Sequence, residues 1–206
     1  MQVGYTGVTV LIILLALVYL GLLERVLERM RLTRKAALII LLMAVLGSRM
    51  PVIPLAAGLS INLGGMLVPL GVAVYLLATV ETAAERTRSL LTIAAVTVVV
   101  WIIDRLFPIR PGAFALDIDP LYLPAVVAAV VAYSLGRSRR SAFIGALLGV
   151  LLIDLIAWGE NLIRGFREVQ VILGSGGVFG AALISGVLAV LLAEAVGEIR
   201  ERLHRV

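Results

Sequence analysis

A single carboxylate, Asp154, sits near the middle of residues 141–161 (SAFIGALLGVLLIDLIAWGEN), an apolar run long enough to cross a bilayer. With entry near Ala142 and a rise of ~1.5 Å per residue, Asp154 falls about 18 Å into a hydrocarbon layer ~30 Å thick. An acid at that depth costs roughly 2.5–3.5 kcal/mol on insertion scales unless something pairs or hydrates it. The chemistry open to it is that of a proton or cation site, or of a counter-charge to a buried cation. Arg49, counted from Ala36, reaches nearly the same depth, ~20 Å. It is the candidate partner, because pairing is how such groups persist in hydrocarbon. Asp104, with Arg105 beside it, falls about 21 Å into the run that starts at Leu90, so three runs put charge at one level. Two glycine pairs, Gly64-Gly65 just after Asn62 and Gly176-Gly177, open apolar runs from that same side. Free N–H groups and positive dipole ends at such starts favour an anionic group or a carbonyl oxygen, and glycine permits close approach. Arg49, Asn62, Gly64, Gly65, Asp104, Asp154, Gly176 and Gly177 therefore form the candidate substrate- or ion-binding set. No catalytic residue, metal site or cofactor is expected. The chain has no cysteine, which removes thiol nucleophiles, disulfides and iron–sulfur sites, and its one histidine, His204, lies in the tail.

The elements that must hold these groups are set by hydropathy. Of the 206 residues 62% are hydrophobic, the mean hydropathy is +1.12, and the charges cluster between apolar runs. That pattern predicts an all-α, polytopic membrane helical bundle forming a single integral membrane domain over 1–206. About seven transmembrane helices are expected, at 7–23, 36–57, 63–80, 90–107, 120–136, 141–161 and 173–195. Runs of this length, unlike ten-residue alternations, favour helices over a transmembrane barrel. The first run has no positive segment before it and no small-residue cleavage site after it, so it reads as a retained helix. With the N-terminus outside, most of the 18 cations fall on the inner side: Arg25 to Lys35, Arg86 and Arg88, Arg137 to Arg140, and Arg200 to Arg205. The outer side keeps Arg49, Arg105, Arg110, Arg164 and Arg167. The positive-inside rule then places the chain in the inner (cytoplasmic) membrane with its C-terminus cytoplasmic. The net charge of +5 is in this way a topology signal and not a nucleic-acid footprint. The expected partners are the lipid bilayer and a small solute or ion, with a homo-oligomer open and no nucleic acid.

The chain also resembles itself. Residues 61–81 match 173–196 when Gly64-Gly65 is laid on Gly176-Gly177, an offset of 112, and 31–49 match 137–155 at an offset of 106. This predicts a parallel internal repeat, 36–80 and 141–195, with its axis along the membrane normal. Ser48 and Arg49 then correspond to Asp154 and Leu155. Discontinuous helices at matching places in two repeats are one way transporters build a substrate site. On α-helical spacing Asp154 shares a stripe with Leu147, Trp158 and Asn161, while Gly145 and its partner Gly149 serve close helix packing on another face. Pro108, Pro111, Pro120 and Pro124 bracket the loop before the fifth run, where Asp119 is placed to cap a helix beginning at Pro120. Asp117 has no such role.

The segments SINLGGMLVPLGVAVYLL, GALLGVLLIDLI and GSGGVFGAALISGVLAVLLA resemble the three recurrent segments of a prokaryotic multi-pass membrane family, domain of unknown function 1614, over roughly residues 36–195. The resemblance implies a helical membrane protein and supplies no activity. The family pattern carries Gly-Ala before the helix acid, where this chain has Leu152-Ile153, and an acid after the last phenylalanine, where it has Gly180.

The leading functional expectation is a carrier or membrane-embedded solute- or ion-binding protein with its polar site in the outer half of the bilayer. In loose outline this is similar to the small substrate-binding subunits of vitamin importers. An intramembrane aspartyl protease using Asp104 and Asp154 is the alternative. It needs two carboxylates close enough to share a proton, and the Gly-x-Gly-Asp setting usual for such acids is missing here. A third reading is a structural assembly protein whose charges only fix helix register. A non-enzymatic role is the favoured one.

Overall fold

The computed structural model describes residues 16–204 apart from Tyr19, Arg29, Arg31, 107–121 and Arg167. Most of the expected first span, the 107–121 loop with Arg110, Asp117 and Asp119, and Arg167 thus lie outside the described residues. The chain divides into two compact units, Met1–Leu42 and Met43–Val206.

In the first unit residues 20–28 are helical, and the Met30 N–H closes the last turn on the Leu27 carbonyl. Helix α1 (Arg34–Ser48) starts where Thr33 Oγ1 accepts the Ala36 N–H at 3.2 Å, a hydroxyl taking up an otherwise orphaned helix donor. Arg34 forms ion pairs with Glu24 at 3.2 Å and Glu28 at 3.8 Å. Its side chain is 78% exposed, so each pair contributes no more than about 1 kcal/mol.

The second unit shows where apolar runs stop being helices. The expected span 36–57 is not continuous: α1 ends at Ser48, and Arg49 and Met50 donate back to Leu46 and Gly47 in a tightened last turn. Pro51 and Pro54 lack N–H donors and push the residues before them into extended backbone. The chain continues as β1 (Ile53–Ala56), turns at Gly58 with φ 70°, and returns as β2 (Leu59–Ile61). A third strand, β3 (Val171–Leu173), lies parallel to β2, giving the order β1-β2-β3. The protein is therefore mostly helical with a small mixed sheet, and not all-α. Leu59, Ile61 and Leu173 are buried, with Met66, Trp158 and Val171 packed against them.

The two glycine pairs also interrupt their runs. Residues 63–80 become a π-helical turn (Leu63–Leu67) followed by α2 (Val68–Ala78), with Pro69 in its first turn where no donor is needed. Residues 173–195 become β3, a 3-10 turn (Gly177–Phe179) and α6 (Ala181–His204). The remaining helices are α3 (Ala83–Leu106), α4 (Tyr122–Gly136) and α5 (Arg139–Ile163), close to the expected runs. Among the described residues only α3 and α5 are long and apolar enough to cross a membrane, while Leu63–Ala78, Tyr122–Gly136 and Ala181–Gly197 are shorter apolar helices.

Helix α5 is the centre of this unit, touching α2, α3, α4, α6 and β3. Small residues let it approach its neighbours. A Cβ on Gly145 would strike Thr92, one on Gly149 would strike Val96, and one on Gly186 of α6 would meet the Phe143 ring at 3.0 Å. The GxxxG pair thus serves packing, as its spacing predicts. Helix α4 presents a fully buried stripe, Ala125, Ala128, Ala129 and Ala132. Helices α3 and α5 run parallel, since Ser89 meets Ser141 near their starts (2.8 Å), Thr97 meets the Gly149 carbonyl at mid-length (3.2 Å), and Trp101 meets Glu160 near their ends (3.0 Å).

Candidate functional site

The glycine pairs meet. Strands β2 and β3 pair Leu59 with Val171, Ser60 with Ile172 and Ile61 with Leu173, so the ladder register is the same 112-residue offset that relates the two sequence segments. The Asn62 N–H extends the ladder to the Leu173 carbonyl at 3.0 Å. Beyond it the backbones close on each other: a Cβ on Gly65 would be driven into the Gly174 carbonyl, and one on Gly174 into Gly65. Gly174, Gly176 and Gly177 all have positive φ (71°, 82° and 60°), which L side chains rarely adopt. The end of α1 completes the junction. Gly47 lies against Gly64, and Ser48 fills the space over both Gly64 and Gly177 while its Oγ donates to the Ala44 carbonyl at 2.6 Å.

Asn62 is the polar hinge of this junction. Its Oδ1 accepts the Gly65 N–H at 2.8 Å, its carbonyl accepts from Met66 at 2.9 Å, and its Nδ2 donates to the Ser48 carbonyl at 3.4 Å. Asn62 and Ser60 are both buried. The N–H groups of Gly65 and Gly177 are taken up by Asn62 and by the Gly174 carbonyl. Close packing by itself thus requires glycine at 64, 65 and 177.

Asp154 lies half-buried on α5, one turn before Trp158. Trp158 packs on the Leu59, Ile61 and Leu173 cluster and donates from Nε1 to the Ala57 carbonyl at 3.0 Å, so its stripe of α5 leads to the strand layer. No hydrogen bond or ion pair is found for Asp154 among the described residues. Arg49 does not reach it. Because α1 stops at Ser48, Arg49 lies in the turn before β1 and is exposed, not buried in a helix. Asp104 is exposed on α3, and neither Arg49 nor Asp154 is bonded to it.

The charged partner that sequence reasoning missed is Glu160. Its carboxylate binds Arg105, accepts the Trp101 indole N–H at 3.0 Å, and lies 4.0 Å from Arg164. The Arg105 guanidinium in turn sits 5.1 Å above the Trp101 ring. The signal was present in the spacing: Trp101 and Arg105 are i,i+4 on α3, and Glu160 and Arg164 are i,i+4 on α5.

Cations gather at the opposite end of the parallel pair. Arg86 and Arg88 open α3, Arg139 and Arg140 open α5, and Arg86 and Arg140 donate to the last carbonyls around α2, Ala78 at 3.4 Å and Thr79 at 3.5 Å. Among the described residues no group of three or more His, Asp or Glu is arranged to hold a metal ion. A family model described as "Protein of unknown function (DUF1614)" matches residues 18–192. No curated protein and no solved structure matches.

Proposed function

The chain belongs to the DUF1614 family of unknown function, and from that premise we propose that it is a multi-pass membrane protein binding a small solute or ion through Asp154, one helical turn before the Trp158 that packs on the strand layer. The observation that carries the reading is Asp154 itself, a half-buried carboxylate in the middle of an apolar helix, without an ion pair among the described residues. Such a group in hydrocarbon needs a proton, a cation or a ligand donor to neutralise it.

Support for the membrane comes from the outward faces. The most apolar windows of α3 and α5 are only 33% and 50% buried, whereas a core helix of a soluble protein would be mostly buried. What these helices expose is apolar: Leu90, Leu91, Val98 and Ile102 on α3, and Leu152, Leu155 and Ile156 on α5. Lipid is the solvent that suits such faces. The excess of cations at the starts of α3 and α5, where Arg86, Arg88, Arg137, Arg139 and Arg140 gather against Arg105 and Arg164 at the other end, agrees with an inner membrane and that end cytoplasmic. The strands and Gly-Gly turns then lie on the outer side, where the buried β2 strand and the glycine junction are surrounded by protein and the exposed β1 strand faces outward at the edge of the sheet. The 112-residue ladder register supports a two-repeat, carrier-like architecture.

The test is modification of Asp154 by an apolar carbodiimide in the membrane-reconstituted protein, read by mass spectrometry, with Na⁺, K⁺ and a panel of small solutes as protectants. Asp154 is expected to react, at least one cation or solute is expected to suppress the reaction, and Asp154→Asn is expected to abolish that binding while the protein stays folded. An Asp154 that nothing protects, or an Asp154→Asn variant that binds as the parent does, would overturn the reading.

A further inference from the structure

A cavity of about 660 Å³ lies where the link between α4 and α5 meets α6. Tyr133, Ser134, Arg137 and Ser138 line it on the side of the link. Ala193, Val196 and Gly197 of α6 supply an apolar wall. We propose that this cavity binds a phosphate group, held by Arg137 and the Tyr133 hydroxyl.

The link is two residues long, because Gly136 ends α4 and Arg139 begins α5. Gly136 must be glycine there: a Cβ would come within 2.7 Å of the Ala142 nitrogen. The left-handed conformation that ends the helix falls on the next residue, where Arg137 holds it at φ 55°, the only positive φ of a non-glycine residue among those described. Glycine or asparagine is the inexpensive choice at a helix C-cap of this kind. Arg137 is thus an exposed cation on strained backbone at the cavity wall.

The donor inventory sorts the lining. Ser134 Oγ already donates to the Val130 carbonyl at 2.8 Å, and Ser138 Oγ donates to Glu85 at 2.7 Å while accepting the Ser141 N–H. The Arg137 guanidinium and the Tyr133 hydroxyl have no bond among the described residues and remain able to donate. Among the described carboxylates nearby, Glu85 takes the Ser138 hydroxyl and Glu194 takes Arg139 at 3.5 Å. Arg137 is exposed, so a ligand competes with water for its guanidinium; a cation there would be repelled by it, and a purely apolar ligand would offer its five donors nothing in place of water. A phosphate group accepts the planar fork and a phenol together. It could come from a lipid headgroup, whose acyl chains would follow the apolar wall, or from free phosphate.

The full-length protein, purified in an uncharged maltoside detergent, is titrated with inorganic phosphate and, separately, with short-chain phosphatidylglycerol, with thermal stability and native mass spectrometry as readouts. Arg137→Gly is the informative variant, because glycine adopts the same backbone without strain while removing the guanidinium together with its aliphatic stem. It is expected to melt at or above the parent's temperature and to bind roughly tenfold or more weakly, the scale of one lost charge-assisted fork. Tyr133→Phe is expected to bind several-fold more weakly, and Arg164→Gln, at the other end of the bundle, to bind as the parent does. Saturable binding of inorganic phosphate supports the site with a free phosphate as its source, and binding of the lipid alone supports it with a headgroup. Binding of neither probe, or undiminished binding by Arg137→Gly, overturns the proposal.

Discussion

At Gly65 any larger residue would be forced into the Gly174 carbonyl and to within 2.7 Å of the Gly177 Cα. Backbone cannot swing aside as a flexible side chain can. Gly65→Ala is therefore expected to cost about 1–3 kcal/mol or to prevent folding, read as loss of a monodisperse species and a lower melting temperature. Gly71 and Gly159 have nothing within 4 Å of a built Cβ. Gly71→Ala and Gly159→Ala, in helix interiors, are expected to leave stability unchanged or raise it by up to about 1 kcal/mol. Equal losses at all three glycines would mean that the tight junction is not formed. Glu160 gives a third prediction at this scale. Its bonds to Arg105 and Trp101 are open to solvent, so Glu160→Ala is expected to change the melting temperature little. It should also change the environment of Trp101, visible in indole fluorescence.

Pairs of elements are joined by hydroxyls as well as by small residues. Ser89 and Ser141 are fully buried and bonded to each other at 2.8 Å, and Ser89 also donates to the Glu85 carbonyl at 3.0 Å. Each single change to alanine leaves the other hydroxyl with a helix carbonyl as a fallback or an unmet partner, at a cost of about 1 kcal/mol. A double-mutant cycle should then show a coupling of roughly 0.5–1 kcal/mol, and strict additivity would mean that the α3 and α5 starts do not meet. The sheet illustrates what a hydropathy profile cannot resolve. Residues 50–57 (MPVIPLAA) are apolar enough to extend a membrane helix, but Pro51 and Pro54 remove the donors such an extension needs, and an extended apolar segment has the same mean hydropathy as a helical one.

The whole molecule is expected to be sided. The chain lacks cysteine, so single cysteines report position cleanly. Ala84, at the cationic start of α3, and Gln170, just before β3, are exposed at opposite ends of the second unit. In intact cells a membrane-impermeant maleimide is expected to label Gln170→Cys, and to label Ala84→Cys only after the membrane is opened. Labelling of both from one side would end the membrane-spanning reading, and labelling in the reverse order would invert the orientation.

Composition and the spacing of apolar and cationic residues were enough to indicate a helical, lipid-compatible chain, to place the α3, α4 and α5 runs, and to mark Gly145 and Gly149 as a packing face. Those properties depend on side-chain chemistry and on a short period along the chain. The 112-residue offset was legible too, because matched Gly-Gly pairs leave a visible signature. Where Arg49 sits and what Arg105 pairs with were decided only in three dimensions. The depth of Arg49 assumed an unbroken helix, which the bend after Ser48 cancels. The partner of Arg105 depends on the rotation of α3 against α5, which turns Trp101 and Arg105 to Glu160 and leaves Asp104 exposed. Helix ends and helix rotations are set by contacts between residues far apart in the chain, and no local pattern encodes them.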